Sequence, residues 1–172
     1  MTAANDKTVP AALLYAIAIA VALLDQAVKA WVSARLPLGG TIAVIPDVFH
    51  LTYVQNKGMA FSLLSGQRLF LVAAAILVIG GIIWVQRRYG SRVPTLACWS
   101  LALALGGALG NLLDRARLGY VVDMFDARII RFPIFNVADT AITFGVILLA
   151  WRVATTPSPE SEPAPSVPQE AA

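Results

Sequence analysis

Residues 119–144, GYVVDMFDARIIRFPIFNVADTAITF, decide how the rest of the chain is interpreted. The stretch contains two aspartates set in apolar sequence: Asp123 follows two valines, and Asp139 opens a long hydrophobic run. A carboxylate at the edge of a membrane-spanning helix is energetically costly, so such residues usually have a function. Two of them on either side of one short loop indicate a shared task.

The composition is that of a membrane protein. Of the 172 residues, 58% are hydrophobic and only 13% are charged, whereas a soluble domain normally has about twice that charged fraction. The apolar residues fall into four runs, each long enough for one span. We therefore predict an all-α, four-helix polytopic membrane protein with one domain over residues 1–155. The predicted spans cover about residues 11–31, 69–86, 94–113 and 135–153.

Residues 36–67 form the longest stretch between spans, and their pattern favours β-structure. Short β-branched and aromatic segments are broken by Pro46 and Asp47, which is typical of strands joined by a turn. Asn56 and Gly58 give a second turn signal. We predict a small β-rich element on the membrane surface between the first two spans, placed to line or cap a site.

The two ends of the chain are polar. Residues 156–172 are rich in proline, serine and glutamate, and this composition predicts a disordered tail. Residues 1–9 are also predicted to be disordered. The first apolar run is not followed by a small-residue cleavage site and polar sequence, so we predict a retained anchor rather than a removed signal peptide.

Four spans place both termini on one side of the membrane and the 36–68 region with the Asp123 loop on the other. Basic residues do not settle the orientation. Five fall on the terminal side and eight on the opposite side, so a simple positive-inside count would place the termini outside.

Polar residues gather at the loop side of the predicted bundle. They are Asp25, Asn56, Asn111, Asp114, Arg115, Asp123, Asn136 and Asp139. Lys29 follows Asp25 by four residues and lies on the same helical face, so the two could pair. At this point a simple interfacial ion pair and a functional role are equally plausible. Gly106 and Gly110 form a small-xxx-small pair that allows another helix to approach closely.

Most kinds of catalytic chemistry lack the residues they need. No serine has a plausible lysine or histidine base, and the single cysteine and histidine, Cys98 and His50, are predicted to be structural. Nothing resembles a ligand-spaced metal loop, and a net charge of +3 is too small to predict nucleic-acid binding. Paired carboxylates remain, in which one holds a proton while the other activates water. That is the arrangement of aspartic proteases.

Five ordered sequence blocks carry a family resemblance. They are Asp25-Gln26, then Asn56-Lys57-Gly58 with Ala60-Phe61-Ser62, then Gly110 to Arg115, then Gly119 with Val121-Val122-Asp123, and finally Phe132 to Asp139. Across residues 25–145 the chain resembles signal peptidase II, the four-span lipoprotein signal peptidase and aspartyl protease of the bacterial cytoplasmic membrane. Five blocks in order are far more specific than any one of them.

The resemblance implies both an activity and a site. Asp123 and Asp139 would form the catalytic dyad. The residues that would bind substrate or support the dyad are Asp25, Asn56, Gly58, Asn111, Asp114, Arg115 and Asn136. The substrate would be a prolipoprotein with a diacylglyceryl-modified cysteine, cleaved just before that cysteine. No metal or cofactor is implied.

The resemblance also implies a location. Both termini would be cytoplasmic, against the charge count, and the β-rich element would cradle the substrate at the extracytoplasmic face. We expect a monomer in contact with membrane lipid. Two departures from the family pattern stand out: Met59 replaces a small residue, and the loop between the aspartates is short.

Two rival hypotheses come from other functional classes. The first is a small ion or proton carrier that uses Asp25, Asp123 and Asp139 as a relay. The clustering of these carboxylates near one membrane face disfavours it, as does the absence of paired, interrupted spans from the sequence pattern. The second is a membrane scaffold without enzymatic activity. It would explain the glycines but not the polar residues at one edge.

Overall fold

Four long helices make up most of the molecule. A computed structural model describes residues 9–59, 63–130 and 132–156. The helices are α1 (Ala11–Arg35), α2 (Arg68–Tyr89), α3 (Thr95–Arg117) and α4 (Val137–Thr155). Each is long and apolar enough to cross a membrane, which confirms the prediction of four such helices. The disorder predicted for the two ends falls almost entirely on residues 1–8 and 157–172, which lie outside the described ranges.

The helices differ from the predicted spans mainly at their ends. α1 continues past Trp31 to Arg35, and α3 continues past Leu113 to Arg117. α4 begins at Val137 rather than at residue 135, because Asn136 caps it. The apolar runs of α1 and α3 stop before the helices do, because polar residues occupy the last helical turns.

α3 is the central helix, and it packs against the other three. Its glycines make this packing possible. A Cβ atom added at Gly106 would lie 2.6 Å from the carbonyl oxygen of Ala18 in α1, and one at Gly110 would lie 2.5 Å from Oδ2 of Asp25. A Cβ at Gly107 would collide with the backbone of Ala138 in α4. The predicted close approach at Gly106 and Gly110 is therefore confirmed.

A three-stranded antiparallel sheet lies at the end of the bundle opposite the two termini. Its strands are β1 (Thr41–Ile45), β2 (Phe49–Asn56) and β3 (Val121–Asp126), in the order β1-β2-β3. β1 and β2 belong to the predicted 36–67 element. The third strand was not predicted, because the segment around Asp123 was interpreted as a loop. That interpretation is wrong: Asp123 is a strand residue, paired with Val54 of β2.

The alternation along β3 orients Asp123. Val122 and Met124 pack with Val32 of α1 and Tyr53 of β2 in a buried apolar cluster. Since successive side chains in a strand point to opposite faces, Asp123 points away from that cluster, toward the start of α4. One strand thus anchors the sheet to the bundle and presents a carboxylate on its other face.

Candidate active site

The two aspartates singled out in the sequence meet at one end of the bundle. Asp123 comes from β3 and is almost completely buried, and Asp139 lies in the first turn of α4. Burial raises the pKa of the Asp123 carboxyl, and the neighbouring Asp139 carboxylate raises it further, to about 7. Asp123 can therefore hold a proton near neutral pH beside a second carboxyl group.

Two asparagine amides hold Asp123. Asn136 Nδ2 donates to Oδ1 of Asp123 at 2.7 Å, and Asn56 Nδ2 donates to Oδ2 at 3.0 Å. Both hydrogen bonds favour the ionised carboxylate and so oppose the rise in the pKa of Asp123, but only in part. Each oxygen of this carboxyl group has one defined donor, which fixes its orientation.

Asn136 also holds Asp139, through the start of the helix. The side-chain oxygen of Asn136 accepts from the backbone N–H of Asp139 at 2.8 Å, and the Asn136 backbone N–H donates to Asp139 Oδ2 at 3.3 Å. This reciprocal pair is a capping box. Asn111 Nδ2 donates to the other Asp139 oxygen at 2.7 Å. A single residue, Asn136, thus contacts both aspartates.

Asn56, Gly58 and Arg115 fix the end of β2 beside the aspartates. The Gly58 N–H donates to Asn56 Oδ1 at 2.9 Å, and Arg115 Nη2 donates to the Gly58 carbonyl oxygen at 3.0 Å. The Asn56 amide therefore uses its oxygen to shape the turn and its nitrogen to hold Asp123. Residues 60–62, part of the same sequence block, lie outside the described ranges.

A buried ion cluster lies behind the aspartates and is centred on Lys29. Its ammonium group lies 2.8 Å from Asp25 Oδ2 and 3.0 Å from Asp114 Oδ2, and it donates to Asn111 Oδ1 at 3.0 Å. An ammonium group has three N–H donors, so these three contacts satisfy it. Lys29 and both aspartates are buried. The pairing of Asp25 with Lys29 is therefore internal, and the simple interfacial pair is excluded.

The ion cluster connects the elements that carry the two aspartates of the site. Asp25 Oδ1 accepts from the backbone N–H of Ala138 in the first turn of α4 at 2.9 Å. Asp114 Oδ2 accepts from the backbone N–H of Val122 in β3 at 3.0 Å. Gln26 Nε2 donates to Asp114 Oδ1 at 2.8 Å. α4 and β3 are thus attached to one buried charged group.

All nine candidate residues from the sequence lie in this region, either at the aspartates or in the network behind them. Lys29 and Gln26 were absent from that set of candidates. The signal for Lys29 was its four-residue spacing from Asp25, and Gln26 belongs to one of the resemblance blocks. What the sequence lacked was evidence that both side chains contact α3.

Two cavities meet at Asp123. The larger, of about 630 Å³, runs along the start of α4 and is lined by both aspartates together with apolar side chains such as Ile142 and Phe144. The smaller, of about 470 Å³, lies beside the end of β2 and includes Gln55, Lys57 and Ser65. Both are bordered by Asn56, Met59 and residues 132–134. The site therefore joins an apolar cleft to one lined by both polar and apolar side chains.

This arrangement suits proton transfer by paired carboxyl groups. Within residues 9–59, 63–130 and 132–156, no group of three or more His, Cys, Asp or Glu side chains is placed to hold a metal ion. The buried cation nearest the aspartates, Lys29, is occupied by its three acceptors. In such a pair the ionised carboxylate can activate a water molecule, and the protonated carboxyl can donate a proton to a substrate.

Solved structures share this fold. A bacterial membrane enzyme determined by the in meso method at 2.3 Å resolution matches with a TM-score of 0.82 and 29% identity, covering 92% of this chain and 98% of its own. A second such structure, at 1.9 Å resolution, matches with a TM-score of 0.78 and 29% identity over 88% of this chain and 99% of its own.

Curated relatives match at higher identity. The lipoprotein signal peptidase of Halothermothrix orenii is 46% identical over 138 residues, covering 80% of this chain and 92% of the relative. That of Pelotomaculum thermopropionicum is 44% identical over 140 residues, covering 81% and 90%. That of Streptococcus thermophilus is 46% identical over 139 residues, covering 77% and 90%.

The ion-carrier hypothesis gains no support from these relatives, which are named as peptidases. The family model described as signal peptidase (SPase) II matches residues 17–155, which include both aspartates, the ion cluster, most of α1 and all of the other three helices. The family resemblance predicted from the five sequence blocks is therefore confirmed, and the chain belongs to the signal peptidase II family.

Proposed function

We propose that this chain removes the signal peptide from diacylglyceryl-modified prolipoproteins, cleaving just before the lipidated cysteine, with Asp123 and Asp139 as the catalytic dyad. One observation carries the proposal. Two carboxyl groups from separate elements, β3 and α4, lie where an apolar cleft meets a more polar one. Asp123 is also held in a setting that raises its pKa to about 7.

The dyad works as an acid–base pair on one water molecule. Asp139, ionised, takes a proton from the water, and the oxygen of that water attacks the scissile carbonyl carbon. Asp123, protonated, donates its proton to the carbonyl oxygen, so that the tetrahedral intermediate is a neutral diol. When the intermediate collapses, Asp139 passes its proton to the departing amide nitrogen and the diol returns a proton to Asp123. Both carboxyl groups then have their starting protonation.

The surrounding residues fix the positions of the two carboxyl groups relative to each other. Asn136 binds both aspartates, and Asn56 and Asn111 each bind one. Arg115 and Gly58 support the turn that carries Asn56. Asp25 and Asp114 act from behind, through Lys29 and through their bonds to α4 and β3. These are positioning roles rather than catalytic ones.

Each of the two cavities binds a different part of the substrate. The apolar cleft along α4 receives the membrane-embedded part of the substrate, where Ile142 and Phe144 offer hydrocarbon contact. The more polar cavity beside β2 receives the segment that leaves the membrane. Met59 borders both cavities and is half exposed, so its flexible side chain adapts to whichever part of the substrate lies at the junction.

The sheet faces the extracytoplasmic side of the bacterial cytoplasmic membrane, and both termini are cytoplasmic. Arg87, Arg88 and Arg92 form a tight basic cluster on the terminal side, as the positive-inside rule expects. Several basic residues on the opposite side are engaged within the protein: Lys29 in the ion cluster, Arg115 at Gly58 and Arg68 at the Ala116 carbonyl oxygen. With these three residues set aside, five basic residues remain on each side, and the count no longer favours termini on the outside. The enzyme acts as a monomer in contact with lipid.

The test is cleavage of a lipidated precursor by purified single variants. Asparagine has nearly the shape of aspartate but cannot serve as the base, so Asp123→Asn and Asp139→Asn should each lower turnover by about 10⁴-fold or more. The double variant should be no worse than either single one, because the groups act as a unit. Asp47→Asn, in an exposed turn, is the control and should be unaffected. Near-normal turnover in either single variant would remove that residue from the dyad.

A further inference from the structure

A third cavity lies at the opposite end of the bundle, far from the dyad. It is an open cleft of about 760 Å³, lined by the start of α1 and the end of α2. Its polar lining includes Tyr15, Gln86, Arg87 and Arg88. No carboxylate lines it among the described residues. Its chemistry is therefore that of a cationic pocket with hydrogen-bonding groups.

Gln86 is the observation that points to a ligand. Its side chain is only 3% exposed, yet within the described part of the chain neither Nε2 nor Oε1 has a hydrogen-bond partner. A buried polar group without a partner typically costs about 1–3 kcal/mol, and native structures rarely leave one. The amide offers two donors and one acceptor, so a ligand that satisfies it needs both an acceptor and a donor.

The rest of the cavity favours an anion. Arg87 and Arg88 line it, and neither has a carboxylate within ion-pair distance among residues 9–59, 63–130 and 132–156. α1 begins at the cavity wall with Ala11, without a side-chain cap and without an acidic residue in its first turn. The positive end of a 25-residue helix thus adds to the two guanidinium groups.

Aromatic residues place this cavity at the level of lipid headgroups. Each helix carries a tyrosine or tryptophan within five residues of its terminal-side end: Tyr15, Trp84, Trp99 and Trp151. The three tryptophans are exposed on the outside of the bundle. Such a belt marks the boundary between hydrocarbon and water. Gln86, Arg87 and Arg88 lie two to four residues after Trp84 along α2 and so lie in the headgroup layer.

We propose that this cavity binds the headgroup of an anionic phospholipid that also carries a hydroxyl group. The phosphate accepts hydrogen bonds from Arg87, Arg88 and the Gln86 amide N–H, and the headgroup hydroxyl donates to Gln86 Oε1. The lipid bridges α1 and α2, the two helices that line the cavity. This site is separate from the dyad and does not depend on the proposed cleavage reaction.

The experiment uses the full chain, purified and delipidated in detergent. Defined micelles contain phosphatidylglycerol, which has phosphate and hydroxyls, phosphatidic acid, which lacks the headgroup hydroxyl, or phosphatidylcholine, which is zwitterionic. Inorganic phosphate is a fourth arm. Bound lipid is measured by native mass spectrometry. Unfolding is followed by the reactivity of Cys98, the chain's single and buried cysteine.

Phosphatidylglycerol should bind most tightly and give the largest rise in the unfolding temperature. Arg87→Gln and Arg88→Gln should each weaken its apparent affinity about fivefold. Gln86→Leu should abolish the preference for phosphatidylglycerol over phosphatidic acid. Arg92→Gln is the matched control: Arg92 is exposed in the same segment but does not line the cavity, so it should behave as the wild type.

Three outcomes would overturn the proposal. If Gln86→Leu stabilises the lipid-free protein but leaves the lipid response unchanged, the unpaired amide only lowers stability and does not bind lipid. If phosphatidylcholine matches phosphatidylglycerol, the cavity does not select an anion. If inorganic phosphate gives the full response, the cavity is a general anion site and the lipid assignment is wrong.

Discussion

Replacing Lys29 with methionine tests whether the buried ion cluster holds the site together. Methionine keeps the length and much of the volume of lysine but removes the ammonium group. Asp25 and Asp114, both buried, would then face each other's charge without a cation. Asn111, which binds Asp139, would also lose one of the two donors to its side-chain oxygen and keep only Asn136 Nδ2.

The expected loss follows from these contacts. Removing one partner of a buried ion pair typically costs about 3–5 kcal/mol, and Lys29 pairs with two carboxylates at 2.8 and 3.0 Å. For a chain of this size, such a loss lowers the unfolding temperature by roughly 10 °C. Turnover should fall as well, because Asp25 and Asp114 bind the backbone of the elements that carry the dyad.

Thermal unfolding in detergent, followed by the reactivity of the buried Cys98 thiol, measures the effect. Lys57→Met is the control for stability, since Lys57 is exposed and an exposed lysine contributes at most about 1 kcal/mol through ion pairing. Adding Asp114→Asn to Lys29→Met removes one uncompensated charge. The double variant should therefore be less destabilised than the sum of the two single variants. A loss below about 1 kcal/mol for Lys29→Met would refute the structural role of the cluster.

Two further predictions concern the pH dependence of cleavage and the packing of the helices. Because burial and the Asp139 charge raise the pKa of Asp123 to about 7, kcat/KM should fall as the pH rises above about 7, where Asp123 loses the proton it must donate. Asn56→Leu removes a hydrogen bond that lowers this pKa, so the alkaline limb of the profile should move to higher pH; a move to lower pH would contradict the assignment of that limb to Asp123. Gly110→Ala would place a methyl group against Asp25 and should lower stability by about 1–3 kcal/mol, whereas Gly80→Ala, with open space around its Cβ, should not. Equal unfolding temperatures for the two glycine variants would show that the contact between α1 and α3 is not tight.

The four helices were predictable because a membrane span leaves a strong local signal. About 20 apolar residues in a row have few other interpretations. The exact helix ends were not predictable, because polar residues such as Ser33 and Arg35 continue α1 beyond the predicted span. The start of α4 is marked in the sequence by Asn136, a favoured N-cap residue, but the predicted span was drawn from hydropathy and began two residues too early.

The third strand was missed for a physical reason. β3 alternates Val122 and Met124 with Val121 and Asp123, but all four are buried, so the sequence does not show the apolar–polar alternation of a half-buried strand. The strand also pairs with β2, which lies about 70 residues earlier in the chain. Such pairing is a tertiary property. The contacts of Lys29 and Gln26 are tertiary as well, because their partners Asn111 and Asp114 come from another helix.

The loop between the two aspartates is closed at its base, so we expect a change in its length to leave Asp123 and Asp139 in place. Phe125 and Phe135 exchange backbone hydrogen bonds, from Phe125 N–H to the Phe135 oxygen at 2.8 Å and from Phe135 N–H to the Phe125 oxygen at 3.1 Å. This bridge lies two residues after Asp123 and one residue before Asn136. The short loop noted in the sequence therefore affects residues 132–134, which border both cavities. We therefore expect loop length to change the walls of the two cavities, while β3, Asn136 and the ion cluster set the distance between the carboxyl groups.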